Sequence, residues 1–337
     1  MAAPASPTRR VIIDTDPGVD DALAILLAFG AENIAVEGLT IVCGNGADIY
    51  ALGANARLLA RAAGFPDVPI CLGDAPEEGA EAVQDIPVHV HGADGLGDMA
   101  TKYGRSEADR SGFDARSAAQ FLCDACDAAP GEITVVAIGP LSNVAAALVA
   151  RPDLPTLLQE LLVMGGAVHG EHRGNRTPAA EANFAADPEA AQAVLTAGFR
   201  SVILADLGAT HQTDMDVLRR ACVEELPESG VARLVYDVAQ VFIDCYVRTF
   251  KQTHAPAHDV VAVMYLVRPS LFTRRPARVE VELQGSLTRG ASVADWKGRW
   301  GRPLNCEVLM TVETEPFVSE FVAAIRRLPR TAPALPP

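Results

Sequence analysis

The chain has 337 residues, of which 49% are hydrophobic, and its formal net charge is −15. This composition can build a large α/β core, and the negative charge argues against nucleic acid or an anionic membrane as the main partner. No apolar run reaches the roughly 18 residues of a membrane span, and residues 1–10 lack the apolar segment of a secretory signal. We therefore expect a disordered tail over residues 1–10 and a cytoplasmic protein.

Four aspartates follow the first predicted strand. Residues 11–13 are an apolar run, Pro17 and Gly18 break it, and residues 22–29 are apolar without a breaker, which predicts a buried helix. Ligands of open parallel α/β sheets bind at such strand ends. One of the acids could cap the helix, but the helix dipole cannot neutralise four of them, so the pattern favours a cation site. The four are Asp14, Asp16, Asp20 and Asp21.

Strands and helices then alternate up to residue 204. Strands are predicted at residues 34–42, 68–72, 133–138, 161–164 and 201–204, and helices at residues 115–128, 144–150 and 188–195, with another ending at Arg61. Residues 73–113 form a long polar loop. It contains His91, which the local sequence alone would leave exposed to solvent. The alternation predicts an α/β fold with an open, mostly parallel sheet flanked by helices.

The last third of the chain changes character. Helices are predicted at residues 217–222, 231–250, 260–267 and 316–327, and strands at residues 279–283 and 307–312. No linker separates two domains, so we expect a single domain over residues 11–328 and a Pro-rich tail over residues 329–337.

The seven cysteines are scattered through apolar contexts, which suggests reduced thiols. Cys123 and Cys126 form a C-x-x-C pair inside an alanine-rich helical stretch, and no second pair follows. We therefore predict a pair of buried or half-buried thiols rather than a metal or redox site.

Carboxylates are the metal ligands that this sequence offers. Asp16, Asp20 and Asp21 are close together in the chain, and Asp259 can add another oxygen from far away. No His and Cys set has the spacing of tetrahedral zinc, whereas carboxylates suit a hard cation, Ca²⁺ before Mg²⁺ when several bind directly. A carboxylate beside that cation could accept a proton from a water that the cation acidifies.

Two further polar groups each allow two interpretations. A loop with Asn175, Glu181 and Asn183 offers the donors and acceptors that a sugar needs, although such spacing alone is more often turn chemistry. His258 before Asp259 is typical of a helix cap with a surface histidine. Beside an acidic cluster, however, Asp259 becomes a candidate ligand and His258 a candidate general acid.

A phosphatase is an alternative for the opening motif. An apolar strand followed by D-x-D also resembles haloacid-dehalogenase-like hydrolases, but that family expects Thr or Val where this chain has Gly18. It also has no place for the pair Asp20 and Asp21. The chain lacks a P-loop and a G-x-G-x-x-G after the first strand, so a nucleotide-phosphate or NAD site has no anchor.

Taken together, the motifs resemble the inosine–uridine nucleoside hydrolases, in register from about residue 11 to residue 312. The resemblance implies a Rossmann-like nucleoside hydrolase fold and an enzyme of nucleoside salvage that hydrolyses the N-glycosidic bond of ribonucleosides to free base and ribose. The stretches that carry it are Asp14-Thr-Asp16-Pro-Gly-Val-Asp20-Asp21-Ala, the Gly-Asn45 turn, His91-Gly, Gly139-Pro-Leu-Ser-Asn, Met164-Gly-Gly, the loop with Asn175, Glu181 and Asn183, and His258-Asp259.

The resemblance also implies catalytic roles. Asp16 would be the base toward a metal-bound water that attacks C1′, Asn45 would orient the water side of the site, and His258 would help to protonate the leaving base. The Ca²⁺ ligands that it implies are the carboxylates of Asp16, Asp21 and Asp259 and the backbone carbonyl of Ile138.

The ribose contacts implied by the resemblance come from other residues. Asp20 and Asn183 would hold the 2′- and 3′-hydroxyls, Asn175 and Glu181 would hold the 5′-hydroxyl, and His91 would also bind substrate. The implied partners are a small ribonucleoside and further copies of the chain, as a homodimer or homotetramer.

Some positions depart from the family pattern and bear on specificity. Ala182 stands where family members often carry an aromatic residue, and Ile138 replaces a hydroxyl residue. A 5′-phosphate would meet the carboxylate of Glu181, so 5′-nucleotides are expected to be poor substrates unless Arg173 or Arg176 points inward. Aromatic contacts to the base would have to come from Phe242, Tyr246 or Phe250, and the sequence leaves the preferred base open.

A protein of another class would also fit this pattern. A catalytically idle protein that binds Ca²⁺ or ribose could have the same fold. The presence of both Asp16 and His258 favours the enzyme, because binding alone needs neither a base nor an acid.

Overall fold

The computed structural model describes residues 8–74, 87–106 and 110–331. The strands of this part of the chain are β1 (Arg9–Thr15), β2 (Ile34–Ile41), β3 (Ile70–Leu72), β4 (Ile133–Ala137), β5 (Glu160–Met164), β6 (Val202–Ala205), β7 (Phe272–Val281), β8 (Ser292–Asp295) and β9 (Cys306–Val312). They form one sheet in the order β3–β2–β1–β4–β5–β6–β9–β7–β8. All neighbours are parallel except β7, which runs antiparallel to β9 and to β8. The predicted α/β fold with an open, mostly parallel sheet is confirmed.

Helices connect the strands. In the described residues they are α1 (Val19–Gly30), α2 (Ile49–Ala63), α3 (Val88–His91), α4 (Ala118–Ala128), α5 (Ser142–Ala150), α6 (Leu154–Leu157), α7 (Ala182–Ala186), α8 (Pro188–Thr196), α9 (Leu207–Thr210), α10 (Met215–Glu225), α11 (Gly230–Asp244), α12 (His258–Val267) and α13 (Thr314–Arg327). A π-helical turn (Cys245–Thr249) continues α11, and a 3₁₀ turn (Pro269–Leu271) follows α12.

The predicted N-terminal tail is two residues too long. Arg9 and Arg10 belong to β1, because the backbone N–H of Arg9 donates to the carbonyl of Asn33 and the Arg9 side chain pairs with Glu160 at 2.7 Å. Residues 1–7 of that tail and residues 332–337 of the Pro-rich tail lie outside the described residues, as do parts of the predicted loop 73–113. The single domain over residues 11–328 stays a prediction.

The antiparallel edge of the sheet differs from the sequence prediction. β7 begins at Phe272 rather than at residue 279, because its exposed first half, which includes Arg274, Arg275 and Pro276, hides the strand pattern. The four-residue strand β8 was not predicted at all. It is short, and it pairs only with β7 at the edge of the sheet.

Two further predictions can be compared with the fold. Cys123 and Cys126 are buried free thiols, as predicted. No helix in the described parts of the chain is long and apolar enough to cross a membrane.

Helix α1 is the central helix of the core. Every residue from Val19 to Gly30 is buried, and the helix packs on α12 and α13. At its end, the backbone of Gly30 lies against the backbone carbonyl of Ala324, so that a Cβ at residue 30 would overlap that carbonyl. The absence of a side chain therefore lets α13 approach α1 closely.

Gly30→Ala is expected to destabilise the protein by about 1–3 kcal/mol, because a backbone carbonyl cannot move aside as a flexible side chain can. The free energy of unfolding in urea measures this change. Gly46→Ala is the control, since a Cβ there would meet only the flexible end of Leu52, at 3.2 Å. An equal loss in both variants would contradict the packing argument.

Candidate active site

The predicted site residues meet at the carboxyl end of the parallel strands. Asp16 follows β1, Asn45 lies beyond β2, and Ile138 follows β4. A cavity of about 270 Å³ opens at this edge. The predicted residues that line it are Asp20, Asn45, His91, Ile138, Asn175, Glu181, Asn183, His258 and Asp259. Asp16 lines an adjoining cavity of about 590 Å³.

Three carboxylates crowd together beside the cavity. Oxygen atoms of Asp20, Asp21 and Asp259 lie within 4.8 Å of one another, and all three residues are buried. Burial raises the pKa of Asp259, and the charges of the neighbouring aspartates raise it further. Burial and the charge of Asp21 raise the pKa of Asp20 to about 8. Such a group of acids is unfavourable unless protons or a cation neutralise it.

Hydrogen bonds fix the orientation of Asp21 and of the neighbouring Asp16. Asp21 accepts from the hydroxyl of Thr15, from the N–H of Gly18 at 2.9 Å and from the side-chain amide of Asn45 at 3.0 Å. The backbone N–H of Asn45 donates to Oδ2 of Asp16 at 2.7 Å. Asn45 therefore connects the two acids and holds both in place.

Two buried oxygens in this group have no hydrogen-bond donor among the described residues, namely Oδ1 of Asp16 and Oδ1 of Asp20. A buried carboxylate oxygen normally has a partner, so its absence here points to a ligand that the protein itself does not supply. Carboxylates in this arrangement fit a hard divalent cation, and Asp20, Asp21 and Asp259 could hold a metal ion.

Asn183 lines the cavity between Ile138 and Met164. Its side-chain N–H groups donate to the carbonyl of Ile138 at 2.9 Å and to the carbonyl of Met164 at 3.1 Å. The amide oxygen of Asn183 is thus left for other partners. The carbonyl of Ile138 keeps a second lone pair, so its predicted role as a metal ligand stays compatible with this contact.

Glu181 has a structural role that the sequence did not predict. It caps helix α7, and its carboxylate accepts from the N–H groups of Gly166, Asn183 and Phe184 at 2.8–3.1 Å. Burial raises the pKa of Glu181 to about 7, although these donors oppose the shift. Asn175 accepts from the N–H of Ala182 at 2.9 Å, and its side chain also interacts with the hydroxyl of Tyr246. The sugar contact stays a prediction, and the sequence pattern did not predict the cap.

His258 is held from both sides. Its Nδ1 lies 2.8 Å from the hydroxyl of Thr210, and its Nε2 lies 2.8 Å from the hydroxyl of Tyr246. Only 4% of the residue is exposed, and burial lowers its pKa to about 3. The surface histidine considered from sequence is therefore wrong. Nothing in the local sequence pointed to Thr210, 48 residues away.

His91 is likewise buried, with 6% exposed, which excludes the solvent-exposed side chain that its loop alone suggested. Its Nδ1 accepts from the N–H of Val19 at 3.1 Å and lies 3.9 Å from Asp20. Burial lowers the pKa of His91 to about 3. A neutral ring in this orientation presents Nε2–H as its remaining donor.

Aromatic side chains line the same cavity. Phe242, Tyr246 and Phe250 follow one another along α11 and its π turn, and the rings of Phe242 and Tyr246 stack at 4.7 Å. His89 meets the edge of Phe250 at 5.9 Å. All three aromatic residues named from the sequence therefore lie at the site, where a planar base could stack.

Known proteins share both this sequence and this fold. The family model described as inosine-uridine preferring nucleoside hydrolase matches residues 11–319. Uridine nucleosidase 1 of Arabidopsis thaliana is 35% identical and covers 94% of this chain and 92% of its own. The inosine-uridine preferring nucleoside hydrolase of Crithidia fasciculata is 34% identical, over 95% of this chain and 98% of its own.

A solved structure gives the same result. The plant nucleoside hydrolase PpNRh1 superposes with a TM-score of 0.83 at 30% identity, and the match covers 95% of this chain and 99% of that one. The chain therefore belongs to the inosine-uridine preferring nucleoside hydrolase family, enzymes that hydrolyse the N-glycosidic bond of nucleosides.

Proposed function

We propose that the chain is a Ca²⁺-dependent ribonucleoside hydrolase that releases free base and ribose in nucleoside salvage. The observation that carries the proposal is the pair of buried, unpartnered oxygens on Asp16 and Asp20, beside a cavity lined with amides and aromatic rings. Relatives named for uridine and inosine make these two nucleosides the first substrates to test. A cytoplasmic location stays a prediction from the sequence, and a homodimer or homotetramer stays a prediction from the resemblance.

The proposed ligands of Ca²⁺ are Asp16, Asp21, Asp259 and the carbonyl of Ile138. Several carboxylates in one site favour Ca²⁺ over Mg²⁺, which usually keeps most of its waters. When bound, the ion would supply Lewis acidity to a water molecule and an anchor for ribose hydroxyls.

Asp16 is proposed as the base. Its Oδ2 accepts from Asn45, whereas its Oδ1 is buried without a protein donor and can accept a proton. Burial and the charges of Asp21 and Asp20 raise the pKa of Asp16. The water attacks C1′ as the N-glycosidic bond breaks, and the surrounding carboxylates favour the positive charge that develops on the sugar.

The departing base needs a proton, and His258 is proposed to help to supply it. The imidazole is neutral at pH 7 because burial lowers its pKa to about 3. It would therefore transfer a proton within the hydrogen-bonded series of Thr210, His258 and Tyr246 rather than act as a permanently protonated imidazolium. Tyr246 lines the nucleoside cavity, so this series of hydrogen bonds ends beside the proposed position of the base.

The ribose is proposed to contact the polar residues of the cavity. Asp20 and Asn183 would bind the 2′- and 3′-hydroxyls, and Asn175 and Glu181 the 5′-hydroxyl, with His91 as a further substrate contact. In support, the amide oxygen of Asn183 remains after the internal hydrogen bonds of its NH₂ group are counted.

The experiment is an assay of purified protein for base and ribose release from uridine, inosine and 2′-deoxyuridine. Uridine or inosine should be cleaved, and 2′-deoxyuridine should have a kcat/KM lower by at least about a hundredfold, because Asp20 would lose its hydroxyl partner. Equal cleavage of the deoxynucleoside would contradict the role of Asp20. Failure to cleave any nucleoside would favour the idle binding protein.

A further inference from the structure

Asn55 is a buried amide that the proposed mechanism does not use. It lies on α2 with none of its surface exposed, and it lines neither cavity of the site. Its NH₂ group donates to the carbonyl of Pro17 at 3.1 Å and to the carbonyl of Asp94 at 2.9 Å, and its amide oxygen accepts from Arg105 at 2.6 Å. The side chain therefore connects α2 with two other segments of the chain.

One of these segments is residues 16–21, which we call the acid turn. The carbonyl of Asp16 accepts from the side-chain amide of Asn45 at 3.1 Å, and the next carbonyl, that of Pro17, accepts from Asn55. Two asparagines thus hold two successive carbonyls of the turn, one from beside the nucleoside cavity and one from α2. Because Pro17 directly follows Asp16, a shift of its carbonyl would move a proposed Ca²⁺ ligand and base.

The other segment is the loop of residues 92–105, which follows α3. Asp94 orders this loop, because its carboxylate accepts from three backbone N–H groups at 2.7–3.0 Å, those of Leu96, Asp98 and Ala100. Near the end of the loop, the hydroxyl of Tyr103 donates to Asp237 of α11 at 2.7 Å. The carbonyl of Asp94 therefore gives Asn55 a fixed point of attachment.

The acid turn and the loop meet at the amide of Asn55. Gly95 has a φ of +81°, and a Cβ there would lie 2.9 Å from Nδ2 of Asn55 and 3.3 Å from the carbonyl oxygen of Pro17. The backbone of the loop is thus packed directly against the hydrogen bond from Asn55 to Pro17. His91, just before the loop, accepts from the N–H of Val19 at 3.1 Å. Asn55 and His91 therefore hold the turn against the loop at two points.

We infer that Asn55 is a positioning residue of the active site, which fixes the acid turn in the conformation that binds Ca²⁺. The inference rests on the proposed function and adds a residue to it. Asn55 lines neither cavity, so it acts on the ion through the carbonyl of Pro17 and not by contact. Residues that orient metal ligands from behind contribute about 10–100-fold to metal affinity.

The first test measures the Kd of Ca²⁺ by competing the full chain, loaded with calcium, against a chelator of known affinity. Asn55→Ala should raise this Kd about 10–100-fold. Asn55→Asp keeps the size of the side chain and an acceptor for Arg105, but it has no NH₂ group for the carbonyls of Pro17 and Asp94. It should also raise the Kd at least about tenfold, and it serves as the test if the alanine variant does not fold.

Asn33→Ala is the matched control. The amide of Asn33 also donates to two carbonyls, those of Leu266 and Val267 at 3.0 and 3.3 Å, but it directly precedes β2, at the opposite end of the sheet from the site. This variant should lose stability and keep the calcium Kd of the wild type. A Kd that rises equally in Asn33→Ala and Asn55→Ala, or that stays unchanged in both Asn55 variants, overturns the inference.

Uridine hydrolysis at increasing Ca²⁺ concentrations separates this inference from the proposed function. The Asn55 variants should need about 10–100-fold more Ca²⁺ for half-maximal rate than the wild type, a change that a loss of stability alone does not produce. If the wild type binds calcium and cleaves uridine, and the variants respond to calcium as it does, only the role of Asn55 is overturned. A wild type that binds no calcium and cleaves no nucleoside overturns both.

Discussion

Asp16→Asn is expected to lower kcat at least about a thousandfold, with the protein still folded, because the change removes the proton acceptor and weakens a proposed Ca²⁺ ligand together. The substitution keeps the size of the side chain. Its carbonyl oxygen can still accept from the N–H of Asn45, as Oδ2 of Asp16 does at 2.7 Å. Steady-state rates of base release from uridine measure the effect, and a thermal melt of the variant shows whether the fold persists.

Asp14→Asn is the matched control for this variant. Asp14 lies two residues earlier, on β1, and is equally buried, but its Oδ1 accepts from Thr40 at 2.6 Å and from Asn143 at 2.8 Å, and it lines neither cavity of the site. Burial raises its pKa to about 7, so a neutral amide resembles its protonated form. We expect kcat to change by less than about tenfold. If Asp16→Asn changes kcat no more than Asp14→Asn does, Asp16 is not the base.

The sheet and the position of the acids could be predicted because both depend on local sequence. An apolar strand, a Pro-Gly turn and an apolar helix follow one another within residues 11–29, and helix α1 begins where the turn ends. Strands buried on both faces read as continuous apolar runs, which made β4, β5 and β6 recognisable. The first half of β7 was not recognised as a strand because it carries exposed arginines and a proline instead of a continuous apolar run.

The partners of the site residues could not be predicted in the same way. Thr210 and Tyr246 reach His258 from α9 and from the π turn, so their contact depends on how separate helices pack. A π turn has no recognisable sequence signal, so the sequence predicted one continuous helix over residues 231–250 and not the turn within it. The cap formed by Glu181 was missed because α7 has only five residues and begins within a polar stretch.

Removal of Ca²⁺ is expected to abolish activity and to lower the melting temperature. Chelation should reduce the rate of base release to below about one hundredth, since both the acidified water and the ribose anchor are lost. It should also leave the buried carboxylates of Asp20, Asp21 and Asp259 without a cation. Ca²⁺ present at one hundred times its Kd would stabilise the fold by about 2.7 kcal/mol. Metal analysis should find one Ca²⁺ per chain.

Two variants distinguish binding at this site from a general effect of calcium. Asp259→Asn should lose most of the rise in melting temperature that Ca²⁺ causes, because it removes a proposed ligand. Asp237→Asn changes another buried aspartate, whose partners are Lys102, Tyr103 and Arg233, so it should lower stability but keep the full calcium response. An unchanged melting temperature on chelation of the wild type, or a zinc ion found in place of calcium, would contradict the carboxylate site. A response lost equally in both variants would show that calcium acts elsewhere, because only one of these aspartates lies within 4.8 Å of Asp20 and Asp21.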